Sequence, residues 1–222
     1  MCSGEMNMEH RQVWKNSMYE ASERVPMMIS GPGLKKGVVE TRLTSLLDVY
    51  PTLVALAGGS PPSFLRGLSL LPLMTASGSD ESKFPEDRYV TAQYHSNMGN
   101  TGSFMVRWRQ YKYITFGTSL AAFQGYKPQL FDVDKDPDEM TDLAAQEPQI
   151  VAAMDAKLNA HYDYQAVDKE CKVNQAMIYK DHFESQFGRS QLKSKLKKAY
   201  TGFDNDDMDK VVAWAKEASA LA

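Results

Sequence analysis

The sequence offers few of the signals that mark secreted, membrane or metal-binding chains. Its two cysteines, Cys2 and Cys171, stand in no CxxC pair and in no metal-ligand spacing, which favours idle thiols over a disulfide framework. The chain has no Asn-x-Ser/Thr sequon, so glycosylation gives no indication of secretion. The longest apolar runs, at 69–74 and 211–215, are far too short to span a bilayer. Residues 1–6 lack the basic and apolar regions of a signal peptide.

An excess of positive charge is also absent. The formal net charge is -3 and the isoelectric point about 5.8, which argues against a nucleic-acid partner, because such partners usually bind a basic face. The hydrophobic fraction of 43% and the charged fraction of 24% are ordinary for a globular protein. A length of 222 residues is long for one domain and short for two.

Residues 1–74 read as one piece of an α/β layer. The apolar run at 25–30 ends at a Gly-Pro-Gly turn and predicts a strand that is buried on both faces. A helix is predicted from Asp48, with Pro51 in its first turn, an apolar face at 53–57 and Gly58 at its C-cap. One strand and one helix cannot bury each other. We therefore expect this stretch to need a larger sheet, as in a chain that lacks its N-terminal part.

The central part of the chain predicts a separate α+β subdomain. Residues 75–87 are polar and predict a surface loop. Alternating residues at 88–94, 103–109, 111–116 and 129–133 predict four strands, with a tight hairpin at Arg109 and Gln110. A helix is predicted to begin at Glu147 and Pro148. Residues 88–165 should thus form a four-stranded antiparallel sheet covered by one helix.

Residues 166–222 predict a helical tail. The segment 206–221 is amphipathic, with Met208, Val211, Val212, Ala215 and Ala218 on one side. Residues 193–198 form a basic cluster, which is more typical of a solvated helix face than of a binding patch.

Four local patterns occur in a fixed order over residues 4–160. They are GEMNMEHRQ at 4–12 with WKNSMYE at 14–20, DVYPTL at 48–53 with GLSLLPL at 67–73, RWRQYKYI at 107–114, and LFDVDKDPDE at 130–139. In this order they resemble the sulfatase family of the alkaline-phosphatase-like superfamily. The resemblance implies an α/β fold, namely the C-terminal part of the alkaline-phosphatase-like sulfatase fold with its small antiparallel sheet-and-helix subdomain.

The resemblance also implies chemistry that this chain does not carry in full. Family members hydrolyse sulfate esters with a formylglycine made from a C/S-x-P/A-x-R motif, beside a calcium ion. That motif is absent here, and Cys2 and Ser3 occupy the places of an acidic residue and a His or Asn before Gly4. A calcium ion needs several oxygen ligands. We therefore expect no metal site in this chain and no turnover by the chain alone.

Three residues are candidates for substrate contacts by this resemblance. Lys15 matches the lysine that contacts the sulfate group, and its ammonium would offset charge on the sulfuryl oxygens. His10 lies in the same loop and could contact the substrate or give a proton to the leaving alkoxide. His95 follows the first predicted strand of the subdomain and could contact the substrate. Without the resemblance, each would be read as a solvated side chain.

Two further features favour structural roles. Lys112 alternates with apolar residues along a strand and is more typical of a structural lysine. Asp134, Asp136 and Asp138 superficially resemble a calcium loop, but the spacing lacks the glycine and the terminal glutamate of an EF-hand, so we predict a turn.

The expected partner is a sulfated glycan or an aryl sulfate, with no nucleic acid and no membrane, and the oligomeric state stays open. The strings at 8–12 and 17–22 look most like family members that desulfate 2-sulfated glucuronate in glycosaminoglycans. The resemblance implies a lysosomal or secreted enzyme. Two alternatives remain: a phosphodiester or phosphonate hydrolase of the same superfamily, and a non-catalytic protein that binds sulfated glycans or another protein.

Overall fold

A computed structural model describes most of the chain. The described residues are 4–15, 17–75, 81–95, 101–120, 125–180, 185, 188, 190, 191, 194 and 205–221. The lysines of the predicted basic cluster at 193–198 lie outside them, as do Cys2 and Ser3, the two residues at the predicted metal positions.

Residues 4–75 hold five short elements. A two-stranded antiparallel hairpin pairs β1 (Met6–Asn7) with β2 (Val13–Trp14). Three helices follow: α1 (Glu20–Glu23), α2 (Val49–Leu56) and α3 (Leu71–Met74). No strand among the described residues of this region continues the hairpin into a larger sheet.

The predicted helix after Asp48 is confirmed at both ends. The Asp48 carboxylate accepts a hydrogen bond from the Ser45 N–H at 2.8 Å, which completes a capping box before α2. At the other end Gly58 has a φ of 78°, and the Gly59 N–H donates to the Val54 carbonyl at 2.9 Å. This is a Schellman ending, which a glycine adopts without strain.

The strand predicted at 25–30 is not formed in this structure, and the apolar face of the predicted helix lacks the covering layer that the sequence analysis expected it to need. Residues 25–30 run without strand pairing, and the Met28 side chain is 93% exposed. The apolar face of α2 is also uncovered, because Leu53 is 59% exposed and Leu56 is 42% exposed. A buried strand needs neighbouring strands to pair its N–H and C=O groups, and no described strand runs beside this one.

The four-stranded antiparallel sheet is confirmed. Its strands are β3 (Tyr89–Tyr94), β4 (Ser103–Trp108), β5 (Tyr111–Phe116) and β6 (Gln129–Asp132), paired in chain order. The two-residue turn between β4 and β5 lies where it was predicted, and Arg109 adopts a left-handed φ of 52° there.

Both faces of this sheet are covered. On one face, α4 (Pro148–His161) packs Met154 and Leu158 against Phe104 and Val106, and all four side chains are fully buried. On the opposite face, Met18 from the N-terminal region packs with side chains of β4, β5 and β6, namely Met105, Ile114 and Phe131. The sheet therefore lies between helix α4 on one face and the N-terminal residues around Met18 on the other.

Residues 76–80 of the predicted loop at 75–87 lie outside the described residues, and residues 81–84 are packed more firmly than their composition suggests. Phe84 is only 2% exposed and packs with Leu70 and Leu73. Glu81 lies 2.6 Å from the Lys35 ammonium and 2.7 Å from the Arg42 guanidinium. The composition of this stretch is polar, but one aromatic side chain and one carboxylate bind it to residues 34–73.

The predicted tail also begins inside the subdomain. Helix α5 (Tyr164–Ile178) buries Asp168 and Lys172 against the sheet end, and α6 (Asn205–Ser219) packs on α5 through Ala218. The amphipathic prediction for α6 is confirmed at Ala215 and Ala218, which are buried. In the described part of the chain, no helix has the length and apolar character that crossing a membrane requires.

Candidate functional site

The hairpin β1–β2 has an unusual backbone. Of six non-glycine residues with positive φ in the described chain, four lie within it: Met8 at 78°, His10 at 48°, Arg11 at 58° and Trp14 at 68°. Such conformations are uncommon for side-chain-bearing residues and concentrate at functional sites. The hairpin, which carries His10 and is followed directly by Lys15, is therefore the most strained described segment.

Two aromatic and polar contacts fix the ring of His10. Its Nε2 lies 2.9 Å from the Asp138 carbonyl oxygen, and the ring stacks on Tyr19 with centroids 3.8 Å apart and an interplanar angle of 1°. The Tyr19 hydroxyl in turn donates to Gln129 Oε1 at 3.2 Å. A carbonyl can only accept, so Nε2 carries the hydrogen. Nδ1 is then the ring atom left to meet a ligand.

Lys15 directly follows β2, and its side chain is exposed. Its neighbour Trp14 is 65% exposed, so the lysine extends from a strained, solvated end of the hairpin. Lys15 and His10 belong to one segment on the same side of the sheet. The structure thus keeps these two predicted site residues in one structural unit.

His95 lies on the other side of the sheet. Its ring meets Phe104 edge-on at 5.2 Å, on the face that α4 and α5 cover. Gly102 leaves room for the ring, because a Cβ there would come within 2.7 Å of His95 Cε1 and 2.8 Å of Asp168 Oδ1. The structure does not bring His95 together with His10.

The surroundings of His95 disfavour a positive charge on its ring. Burial and the nearby Lys172 ammonium lower the pKa of His95, while Asp168 acts in the opposite direction. Neither ring nitrogen has a hydrogen-bond partner among the described residues. Asp168 is committed elsewhere, since it accepts the Gly102 N–H at 2.8 Å.

Lys112 is a structural lysine, as predicted, and it marks a buried ionic cluster. Its Nζ is fully buried, 2.9 Å from Glu20 Oε1 and 3.0 Å from Glu139 Oε1. Burial raises the pKa of Glu139, and the Lys112 ammonium opposes that rise. Sequence reasoning missed both glutamates. The available signal was a lysine inside an apolar strand, because such a cation needs carboxylate partners.

A second buried ion pair joins the N-terminal region to the sheet. The Arg88 guanidinium lies 2.7 Å from Asp48 Oδ1, and the Asp48 side chain is fully buried. Asp48 Oδ1 also accepts the Leu68 N–H at 2.8 Å. Asp48 therefore completes the capping box before α2 and also pairs with Arg88, the residue before β3. Its sequence position indicated the helix start but not this ion pair.

The acidic segment at 134–138 forms turns, as predicted. Among the described residues, no group of three or more His, Cys, Asp or Glu side chains is placed to hold a metal ion. The described residues therefore offer no fitting donor set for the calcium ion that the resemblance implies.

Comparisons with known proteins now place this geometry in a family. The family model for the N-sulphoglucosamine sulphohydrolase C-terminal domain matches residues 8–165, well over half of the chain. The fold and this match define a sulfatase C-terminal region. The chain belongs to the sulfatase family.

Among characterised relatives, the chain is similar to arylsulfatase K. It is 39% identical to the Mus musculus protein over 166 residues, covering 74% of this chain and 29% of that protein. The Homo sapiens protein is also 39% identical over 166 residues, with coverage of 74% and 30%. The chain thus spans about a third of the length of the relatives it matches.

Solved structures agree on the fold. A candidate sulfatase from Bacteroides thetaiotaomicron VPI-5482 superposes with a TM-score of 0.58 at 30% identity, covering 68% of this chain and 32% of that one. A second protein, solved with its substrate D-glucosamine-2-N,6-O-disulfate, gives a TM-score of 0.61 at 22% identity, covering 75% and 33%. The second likeness concerns the fold alone.

Proposed function

We propose that this chain forms the substrate-side part of a sulfuric-ester hydrolase that desulfates 2-sulfated glucuronate in glycosaminoglycans. The observation that carries the proposal is the 39% identity to arylsulfatase K across 166 residues, beside the family match over residues 8–165, which takes in Lys15 and the four-stranded sheet. A lysosomal or secreted location follows from the same likeness. The chain lacks a C/S-x-P/A-x-R motif, so we infer that it binds substrate without turning it over.

Lys15 is the sulfate contact in this proposal. Lys15 directly follows the strained hairpin and its side chain is exposed, so its ammonium can reach the sulfuryl oxygens of a substrate from solvent. In the transition state, charge grows on those oxygens and on the leaving oxygen, and a preorganised cation lowers its energy.

In this proposal, His10 orients the substrate and exchanges a proton with it. With Nε2–H donated to Asp138, neutral His10 presents Nδ1 as an acceptor for a sugar hydroxyl. When doubly protonated, Nδ1–H becomes a donor that can pass its proton to the leaving alkoxide. His95 stays a predicted substrate contact, and its place across the sheet makes it a contact separate from the hairpin.

The test places residues 4–165 into mouse arylsulfatase K in exchange for the matching segment, giving a mouse chimera. Lys15→Ala should lower kcat/KM on a 2-sulfated glucuronate disaccharide roughly a hundredfold, the loss typical of one transition-state donor. Its melting temperature should change little, because an exposed lysine contributes about 0.5 kcal/mol or less.

The matched control is Lys36→Ala, which removes another exposed lysine of the same region. It should leave kcat/KM unchanged. Near-normal activity in Lys15→Ala would reject Lys15 as the sulfate contact. The original chain, assayed with the same substrate and an aryl sulfate in added calcium, should show no turnover above a heat-killed sample.

A second candidate is a non-catalytic protein that binds sulfated glycans. The missing nucleophile motif favours it, because binding needs only cations such as Lys15. A heparin-derived oligosaccharide distinguishes the two: tight binding by the chain, together with an inactive mouse chimera that folds, would favour this candidate.

A further inference from the structure

The ionic cluster around Lys112 connects the centre of the sheet to the hairpin segment. Lys112 lies on β5, and its ammonium contacts Glu20 at 2.9 Å and Glu139 at 3.0 Å. The Glu139 side chain is only 2% exposed and that of Glu20 is 22% exposed. Two carboxylates this deeply placed would repel each other without the cation between them.

Glu139 also binds the main chain of the hairpin segment. Its Oε2 accepts the Glu20 N–H at 2.6 Å, at the first residue of α1. Glu139 has a left-handed φ of 54°, and its own N–H donates to the Asp136 carbonyl at 3.0 Å. A strained residue of this kind persists because its contacts hold it there.

The neighbouring residue in the same turn contacts the other end of the segment. The Asp138 carbonyl accepts the His10 ring N–H at 2.9 Å. Adjacent residues 138 and 139 therefore contact residues 10 and 20, which lie on either side of Lys15 along the chain. The segment that carries Lys15 is held at two points on one turn, and at one of them the Lys112 ammonium lies between two carboxylates and offsets part of their repulsion.

We propose that Lys112 is a positioning residue, which with Glu139 and Glu20 fixes the segment 10–20 and hence the place of Lys15. That meaning for Lys15 rests on the proposed function. Lys112 itself is fully buried and acts through the Glu20 and Glu139 carboxylates rather than on a ligand. Methionine has a similar volume, so Lys112→Met removes the positive charge and keeps most of the packing.

A distance measurement tests the position directly in the full chain. Spin labels are attached at Val13→Cys on the exposed face of β2 and at Ala153→Cys on exposed α4, with Cys2 and Cys171 replaced by serine. The unaltered cluster should give one narrow distance distribution. Lys112→Met should broaden it at least about twofold, because local opening follows the loss of the contacts that hold a segment.

The matched control removes a different lysine near the same turn. Lys135 pairs with Asp132 at 3.3 Å, but its side chain is 83% exposed. Lys135→Met should leave the distribution narrow, because exposed ion pairs contribute little to stability. An unchanged distribution in Lys112→Met would overturn the proposal, and so would equal broadening in both variants.

A gentler variant decides the matter if Lys112→Met does not fold. Glu139→Gln keeps an oxygen for the Glu20 N–H but removes the charge that Lys112 meets. It should also broaden the distribution, and a narrow one would overturn the proposal. This arm needs no catalytic activity.

The mouse chimera separates the positioning claim from the proposed function. Glu139→Gln in the chimera should lower kcat/KM roughly tenfold to a hundredfold, since small misplacements near a reacting group cost that much. If Lys15→Ala leaves the chimera active, the proposed sulfate contact fails while the distance result still decides the positioning claim. If the labels broaden and Lys15→Ala is inactive, both stand.

Discussion

The two halves of the molecule solve the burial problem differently. The sheet subdomain covers both faces of its four strands, and its central side chains, such as Phe104 and Leu130, are fully buried. Residues 4–75 instead expose large apolar side chains, among them Leu53 at 59% and Phe64 at 80%. Exposed apolar surface of this kind marks a contact that the described residues do not supply. The subdomain buries its central side chains, with Met18 of the N-terminal region covering part of one sheet face, whereas much of the apolar surface of residues 4–75 is left uncovered.

The largest expected effect compares two leucines on helices. Leu158→Ala in α4 removes a fully buried side chain and should cost about 2–5 kcal/mol, because a cavity remains. Leu53→Ala in α2 removes a side chain that is 59% exposed and should cost about 0.5 kcal/mol or less. Chemical denaturation of the full chain measures both. Equal losses would mean that α2 is covered in solution.

The next effect compares two ion pairs of the N-terminal region. Arg88→Met leaves the fully buried Asp48 carboxylate without its cation and should cost about 3 kcal/mol. Lys35→Met breaks a pair with Glu81 whose side chains are 27% and 44% exposed, so it should cost under about 1 kcal/mol. Thermal melts at equal salt supply the comparison. If both variants melt alike, the Arg88 pair does not join the two regions as the structure indicates.

The same contrast explains how far the sequence could predict the fold. Strands β3–β6 and helix α4 were predictable because alternation and helical spacing reflect packing within the subdomain itself. Residues 25–30 carry the pattern of a buried strand, but no described strand pairs with them. A strand forms only where a neighbour pairs its backbone groups, so the strand prediction failed there, whereas the expectation that this stretch needs a larger sheet agrees with its exposed apolar side chains.

The site was less predictable than the fold. Lys15 and His10 were named only by resemblance, and the structure keeps them on one hairpin. Glu139 was unpredictable because its partner Glu20 lies more than a hundred residues away in the sequence, and only the fold brings them together. His95 was predicted as a substrate contact from its position after a strand, although a strand end indicates an edge of the sheet and not which face a side chain meets.

The smallest expected effect is a pH response of opposite sign at two helices, namely α5, which lies beside His95, and α1, which contains Glu23. Burial and Lys172 lower the pKa of His95, so its contribution to stability is present above about pH 6.5 and is lost as the pH falls through its folded value. Burial raises the pKa of Glu23, so its contribution to stability is present below about pH 4.5 and is lost as the pH rises through its folded value. Acidification from pH 7 to pH 5 should therefore lower the local stability of α5 and raise that of α1. Hydrogen exchange of the two helices at both pH values measures this.

His95→Gln should reduce the loss at α5, though not fully if His161, whose pKa burial also lowers, shares the response. Glu23→Gln should reduce the gain at α1 and leave α5 unchanged. Each change should be under about 1 kcal/mol, because all these groups keep some contact with solvent. A response of the same sign at both helices would show that one global equilibrium governs them, and the contrast between the covered subdomain and the exposed N-terminal region would fail.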